Sequence, residues 1–199
     1  MAKKDFKIKK GEVVQEKAKH KLLFGQEQEV IDLLNSYSKT IKILEQYDKS
    51  KLRLIKRTKT KFILEYNNAK KVIEEVKREL SAEKETSNLF GQENNKKLQG
   101  ILGNIYQSFR GKEVYPSLEE KATHLLYFVI KDHPFVDGNK RIASFLFVYF
   151  LNRNNFLYRK SGEKRINDNT LIALTILIAT SNPKDKDVLI KIITNLLND

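Results

Sequence analysis

The chain has 199 residues, of which 40% are hydrophobic and 32% are charged, and it carries a formal net charge of +13 at pH 7. This length suits one main domain with an appended segment, because domains usually contain about 100–150 residues. The chain has no cysteine, so disulfide bonds and thiolate chemistry are excluded. Its start lacks the apolar stretch of a signal peptide, and its richest apolar run, residues 143–151, is far shorter than the roughly 20 residues that span a bilayer. We therefore expect a cytoplasmic protein without a membrane partner.

Much of the positive charge lies in two early runs, residues 3–10 (KKDFKIKK) and residues 51–61 (KLRLIKRTKTK). Such runs can bind the phosphate backbone of nucleic acid, although basic runs are more often solvated faces or tails. They also lack the regularly interleaved aromatic side chains that stack on bases. Nucleic acid is therefore a secondary partner here. A nucleic-acid-binding regulatory protein that uses these runs is the alternative to the function derived below.

The first part of the chain is predicted to be helical. Apolar residues recur at helical spacing through residues 29–49, which predicts an amphipathic helix. Residues 62–66 (FILEY) suit a short extended piece. Asn67 is then expected to cap a charged helix that continues to Leu80.

A polar stretch, residues 81–87, marks a predicted boundary. Exposed polar segments of this kind often connect compact parts of a chain. We therefore expect an N-terminal helical extension over residues 1–85 and the main domain over residues 86–199.

The next helix is predicted from five apolar residues on one face: Leu98, Ile101, Leu102, Ile105 and Phe109. Arg110 and Gly111 interrupt this pattern, and residues 108–116 (SFRGKEVYP) suit an irregular loop or a tiny hairpin. Ser117 and Glu120 then form a capping box that begins the following helix.

The last third of the chain also has a helical pattern. Residues 142–151 (IASFLFVYFL) are apolar almost all round, as in a helix at the centre of a bundle. One further helix is predicted after residues 166–169 (INDN), and another is capped by Asn182 with Pro183 at its first position. The sequence therefore predicts an all-α bundle.

The stretch HPFVDGNKR, residues 133–141, connects two apolar helices and carries the chemistry. A helix that begins near Asn139 leaves its first amides without intrahelical partners, which makes an anion site. Gly138 permits a left-handed conformation and lets a phosphate approach the backbone. Lys140 and Arg141 add positive charge at a helix end where cations oppose the dipole, which makes sense if an anion binds there.

Two further side chains complete the predicted site. Asp137 would be repelled by a phosphate unless a cation such as Mg²⁺ came between them. A neutral imidazole at His133 could take the proton of an attacking hydroxyl. Together these residues describe the transfer of part of a nucleotide to a hydroxyl, although each alone is more typical of a cap, a turn or an exposed pair. Phe135 is interpreted as a core anchor, and His20 and His124 as structural residues without ligand spacing.

The stretch resembles the active-site signature of Fic-fold proteins, H-x-F-x-[D/E]-G-N-G-R-x-x-R. Lys140 replaces the second glycine of that signature and Ser144 replaces its second arginine, as in the Doc (death-on-curing) branch, whose signature reads N-K-R. The chain from Leu89 onward also resembles the terminal domain of RhuM-like bacterial proteins. Six residues carry the match: His133, Phe135, Asp137, Gly138, Asn139 and Arg141.

The resemblance implies a Fic-fold helical bundle and an enzyme that uses ATP, or another nucleoside triphosphate, with Mg²⁺. By this resemblance His133 deprotonates a Ser, Thr or Tyr hydroxyl of a target protein and Asp137 holds the metal. Arg141 is implied to be catalytic. It would also bind the nucleotide, together with Gly138, Asn139 and Lys140, which lie between Asp137 and Arg141. The outcome is AMP transfer, as in most Fic enzymes, or phosphoryl transfer, which Lys140 and the missing arginine favour.

The resemblance also assigns a role to the segment before the capping box. A small flap, as a loop or hairpin over the active-site loop, would dock the target chain by strand-like pairing; a plain connecting loop is the alternative. Many Fic proteins carry their own inhibitory helix with the pattern [S/T]-x-x-x-E-[G/N]. This chain has the pair Glu93 and Asn94, but Leu89 occupies the position of the Ser or Thr, so the pattern fails. Control would then come from an inhibitory antitoxin chain or be lacking, and a catalytically silent Fic-fold interaction module is a further alternative. The expected flap residues are Arg110, Gly111, Lys112, Glu113, Val114 and Tyr115.

Overall fold

A computed structural model describes residues 28–83 and 86–198 of the chain. The basic run at residues 3–10 and His20 lie outside these residues. The chain divides into two compact units, residues 1–51 and residues 52–199. The division that the sequence predicted near residue 85 stays a prediction.

The first unit contains the amphipathic segment that the sequence predicted. Residues 28–36 are helical, and after a turn at Tyr37 the helix α1 covers Ser38–Asp48. None of the residues of α1 is buried. The helical prediction is therefore confirmed, with a break at Tyr37, and the apolar stripe of α1 is exposed within the described part of the chain.

The second unit is mostly helical and has one two-stranded sheet among its described residues. The predicted all-α class is thus confirmed. Within the two described ranges, none of the helices is long and apolar enough to cross a membrane. In chain order the elements are α2 (Tyr66–Ala82), α3 (Lys97–Ile105), β1 (Ser108–Phe109), β2 (Lys112–Glu113), α4 (Leu118–Lys131), α5 (Asn139–Arg153), α6 (Asp168–Thr180), a 3-10 turn (Pro183–Asp185) and α7 (Lys186–Leu196).

Two predicted boundaries are wrong. The helix α2 begins at Tyr66 because Glu65 has an extended backbone and is the N-cap, so Asn67 lies inside the helix. The helix α3 ends at Ile105, so Phe109 does not share its face but lies in β1, where it is 67% exposed.

The segment between α3 and α4 forms the tiny hairpin that the sequence allowed. Strands β1 and β2 pair antiparallel, and the two turn residues Arg110 and Gly111 have φ values of 50° and 75°. Positive φ at both positions is the geometry of the tight turns that suit β-hairpins. The buried ammonium group of Lys121 on α4 holds this hairpin, since its Nζ lies 3.0 Å from Oε2 of Glu113 and 2.5 Å from the carbonyl oxygen of Tyr115.

The centre of the bundle is α4 rather than α5. Every residue from Leu118 to Ile130 is buried, whereas α5 leaves Phe145 46% exposed, so the expectation of a central helix at residues 142–151 is wrong. The capping box that begins α4 is confirmed, with the Ser117 hydroxyl accepting from the amide of Glu120 at 3.2 Å. Several polar residues of α4 are buried together with a hydrogen-bond partner, as Lys121 is, whereas the buried hydroxyl of Thr123 has no such partner among the described residues.

His124 is a structural residue of this core, as predicted. It is 6% exposed, its Nδ1 lies 2.8 Å from the carbonyl oxygen of Glu120, and its ring stacks on Tyr115 at 3.8 Å. Burial is the main factor that lowers the pKa of His124 to about 4.

We predict that this histidine makes the fold sensitive to acid. An unfolded histidine has a pKa of about 6.5, so between pH 6.5 and 4 the unfolded chain binds more protons than the folded one. The free energy of unfolding should therefore fall as the pH decreases through this range, by at most about 3 kcal/mol. Urea unfolding of the wild type and of His124→Phe at pH 7 and pH 4 measures the effect, and the variant should lose clearly less stability. An equal loss in both proteins would contradict the assignment.

Candidate functional site

The candidate site is the loop that joins α4 to α5. His133, just after α4, has a left-handed backbone with φ of 47°, and Gly138 has φ of 87° and is the N-cap of α5. The predicted start of the helix at Asn139 is confirmed. The first amides of α5 have no carbonyl four residues earlier within the helix, so this end can bind an anion.

Asn139 closes the loop with its side chain. Its Oδ1 accepts from the amide of Phe135 at 2.9 Å, and its Nδ2 donates to the carbonyl oxygen of Phe135 at 2.7 Å. Phe135 is 3% exposed, so its predicted role as a core anchor is confirmed. The Asn139 side chain is occupied in this way, which is compatible with the predicted phosphate contact through the backbone of Gly138 and Asn139; that contact stays a prediction.

A second segment, residues 87–94, runs beside the loop, and no pattern in the sequence indicates its part in the site. The amide of Gly91 donates to the carbonyl oxygen of Asp137 at 3.1 Å, and the amide of Asn94 donates to that of Pro134 at 2.8 Å. These backbone hydrogen bonds fix the path of the loop from one side.

Phe90 in this segment explains why Gly138 is a glycine. The Phe90 side chain is fully buried, and a Cβ atom at position 138 would lie 2.4 Å from its ring. The prediction that a phosphate occupies the space left by the missing side chain of Gly138 is wrong, because the ring of Phe90 fills it. The positive φ of Gly138, the other reason given for glycine, is confirmed. The guanidinium of Arg141 lies 4.7 Å from the centroid of the same ring.

The carboxylate of Asp137 has three donors around it. Its Oδ2 accepts from the hydroxyl of Ser87 at 2.7 Å and lies 3.4 Å from the guanidinium of Arg141, and its Oδ1 accepts from the amide of Gly138 at 2.6 Å. The Ser87 bond does most to hold the pKa of Asp137 below its ordinary value, partial burial opposes this, and Gly138 and Arg141 add to the lowering. The group is therefore an anion at neutral pH.

Asp137 fits the role of a magnesium ligand in chemical type and accessibility. Its side chain is 39% exposed, so other ligands can reach its oxygens. No group of three His, Asp or Glu side chains that could hold a metal occurs among the described residues. Mg²⁺ commonly uses one or two carboxylates together with substrate phosphates and water, so a single aspartate is sufficient.

The predicted catalytic, metal-binding and nucleotide-binding residues line one cavity of about 400 Å³. Only Val136 joins them among the described residues of its lining, and no residue of the hairpin at 110–115 is included. The docking of a target chain by that hairpin stays a prediction. The predicted residues around this cavity are His133, Asp137, Gly138, Asn139, Lys140 and Arg141.

Ser144, which differs from the Fic signature, and Glu93, the glutamate of the failed inhibitory pattern, both have partners of their own. The hydroxyl of Ser144 lies 2.9 Å from that of Thr175 on α6. Glu93 uses both carboxylate oxygens, accepting from the amide of Leu98 at 2.9 Å and from the hydroxyl of Tyr66 at 2.6 Å. Glu93 therefore caps α3 and fixes α2 in this structure.

Comparison with known proteins gives one match. The family model described as the Fic/DOC family matches residues 64–151, a range that extends from just before α2 into α5 and includes the whole loop. No match was found among curated proteins or among solved structures. The family match supports a Fic-type transferase in general, and the resemblance to RhuM-like proteins stays a prediction.

Proposed function

We propose that the Fic/DOC region of this chain is a transferase that takes a phosphoryl or nucleotidyl group from ATP and transfers it to a hydroxyl side chain of a target protein. One observation carries the proposal: a histidine, a carboxylate and the cationic start of a helix line the same cavity. Each group suits one part of the reaction. The histidine suits the acceptor, the carboxylate suits a metal, and the helix start suits the phosphates.

The start of α5 supports phosphate binding. Lys140 and Arg141 are exposed cations in the first turn of the helix, where the dipole disfavours positive charge. A bound phosphate would offset that cost and accept hydrogen bonds from the amides of Asn139 and Lys140. Phe90 is not among the described residues that line the cavity, so the phosphates would approach on the cavity side and not through the space that the Phe90 ring fills.

Asp137 would hold Mg²⁺ with its carboxylate, which Ser87 and the Gly138 amide already orient. When bound, Mg²⁺ neutralises phosphate charge and orients the oxygens of the transferred group. The backbone of Asp137 is also held in place, because its carbonyl oxygen accepts a hydrogen bond from the amide of Gly91. The carboxylate would therefore be positioned before the metal binds.

His133 would act as the general base. The hydroxyl oxygen of the target attacks phosphorus, and the bond from phosphorus to the leaving oxygen breaks. His133 takes the hydroxyl proton. ADP leaves if the γ-phosphoryl group moves, and pyrophosphate leaves if AMP moves. The side chain of His133 is exposed at the cavity, so a target chain can reach it.

We further propose that the γ-phosphoryl group is the one that moves. Ser144 offers no charge and bonds to Thr175, while Lys140 adds a charge where the Fic signature has glycine. With γ-labelled ATP, a target in a lysate should become labelled, and with α-labelled ATP it should not. Replacing Lys140 by Gly and Ser144 by Arg should shift labelling toward AMP. Label that arrives only from the α-position in the wild type would exclude phosphoryl transfer and leave the transferase assignment intact.

Nucleotide binding tests the proposed function itself. ATP with Mg²⁺ should raise the melting temperature of the protein, because a ligand that binds only the folded state stabilises it. In Asp137→Ala the part of the shift that depends on Mg²⁺ should be lost, while the Ser144→Ala control should retain it. No shift with ATP and Mg²⁺ would favour a silent interaction module or a nucleic-acid-binding protein.

The hairpin and an external inhibitor complete the proposal. The exposed strands β1 and β2 offer backbone groups with which an extended target segment could pair. Glu93 is engaged with α2 and α3, which supports control by a separate antitoxin chain rather than by this glutamate.

A further inference from the structure

The second basic run forms an ordered row of cations on the second unit. Residues 53–61 have no helical or strand assignment, and their exposure alternates along much of the segment. The side chains between the exposed ones are half-buried or buried, among them Leu54, Thr58 and Thr60. We define the cationic row as the exposed residues at odd positions: Arg53, Arg57, Lys59 and Lys61.

Polar contacts with the helical bundle fix the backbone of the cationic row. The hydroxyl of Thr58 donates to Oε1 of the fully buried Glu119 at 2.9 Å, and its amide donates to Oε2 at 3.2 Å. Oδ1 of Asn154 accepts from the amides of Lys61 and Phe62 at 2.9 Å and 2.8 Å. A row fixed in this way loses less conformational entropy on binding than a flexible basic tail would.

The row ends beside an aromatic cluster that is formed by Phe62 and by residues of α5. Phe62 follows Lys61 and is half-buried, and its ring lies 6.1 Å from that of Tyr149 in an edge-to-face arrangement. The exposed guanidinium of Arg153 lies 4.5 Å from the Phe62 ring centroid and 5.8 Å from that of Tyr149. Rings and guanidinium groups are the surfaces on which unpaired bases stack.

We propose that the cationic row and the Phe62, Tyr149 and Arg153 cluster bind a single strand of nucleic acid. Arg57, Lys59 and Lys61 of the row are alternate residues, and alternate side chains of an extended segment are about 6.6 Å apart, a spacing similar to that of successive phosphates in a stretched single strand. The row thus matches a phosphate backbone, and the cluster offers a surface for a base. The basic run itself has no interleaved aromatic residues, because Tyr149 comes to lie near the end of the row only in the folded protein.

The test measures binding of the full chain to a fluorescent 20-nucleotide oligo(dT) strand by anisotropy at several salt concentrations. The row variant is Arg57→Gln, Lys59→Gln and Lys61→Gln. The matched control is Lys71→Gln, Lys160→Gln and Lys184→Gln, which also removes three positive charges, but from exposed positions outside the cationic row. A third variant, Tyr149→Leu, removes the stacking ring and leaves the charge unchanged.

At 50 mM salt the row variant should bind the oligonucleotide at least about tenfold more weakly than the wild type. The slope of log K against log salt concentration should be less steep by about 2, since each of the three lost phosphate contacts lowers the magnitude of the slope by about 0.7. The control should remain within about threefold of the wild type. Tyr149→Leu should weaken binding without changing the slope. Equal losses in the row variant and the control would overturn the proposal, as would tighter binding of a duplex or of anionic lipid vesicles, or no binding of the wild type. Circular dichroism melts of the variants check that all remain folded.

Discussion

Replacing His133 by alanine is expected to lower the rate of group transfer by about 10²–10⁴, the usual contribution of a general base. The imidazole is exposed at the cavity, beside the start of α5 where the phosphates would bind. Because its role concerns the acceptor hydroxyl, the affinity for ATP should stay within about twofold. Single-turnover transfer and nucleotide binding, measured on the same preparation, separate the two effects.

Val136→Ala is the matched control for this prediction. Val136 lines the same cavity, is 47% exposed and has no ionisable group. The control should transfer at close to the wild-type rate. A His133→Ala protein that transfers at the wild-type rate would remove His133 from the mechanism, and an equal loss in both variants would point to a disturbed loop instead.

Replacing Gly138 by alanine is expected to destabilise the fold by about 2–4 kcal/mol. The left-handed backbone at φ of 87° disfavours any side chain, at a cost of about 1–2 kcal/mol. The added Cβ would also lie 2.4 Å from the ring of Phe90, which is fully buried and cannot easily move. Denaturant unfolding measures the change in free energy, and ATP binding should weaken because the start of α5 shifts.

Gly103→Ala is the control, and its expected effect on stability has the opposite sign. Gly103 lies within α3, and no heavy atom lies within 4 Å of a Cβ built there, so alanine should stabilise the protein by about 0.5–1 kcal/mol. A double variant with Phe90→Ala and Gly138→Ala should lose less stability than the sum of the single changes, because the contact is shared. Strict additivity would contradict the proposed clash.

The parts of the fold that depend on near neighbours in sequence could be predicted. Ser117 and Glu120 cap α4, and Asn182 caps the turn before α7, because caps need partners only two or three residues away. The positive φ of Gly138 and the start of α5 beside it are also local features. The loop motif therefore revealed the candidate site from sequence alone.

The parts that depend on distant partners could not be predicted. Glu119 has the charge of a typical surface residue, yet it is buried because Thr58, 61 residues earlier, satisfies its carboxylate. Ser87 bonds to Asp137 across 50 residues of sequence. Phe90 contacts Gly138 only because residues 87–94 fold back against the loop, which no local pattern indicates.

Transfer of label from ATP to a protein tests whether the chain is a transferase that depends on His133. A mixture of α-labelled and γ-labelled ATP with Mg²⁺ is added to a lysate together with the purified wild type, His133→Ala or Val136→Ala. We expect a discrete protein band to become labelled with the wild type and with Val136→Ala, and to be missing with His133→Ala. A lysate in which the wild type labels no protein, or in which His133→Ala labels the same band equally well, would contradict this expectation.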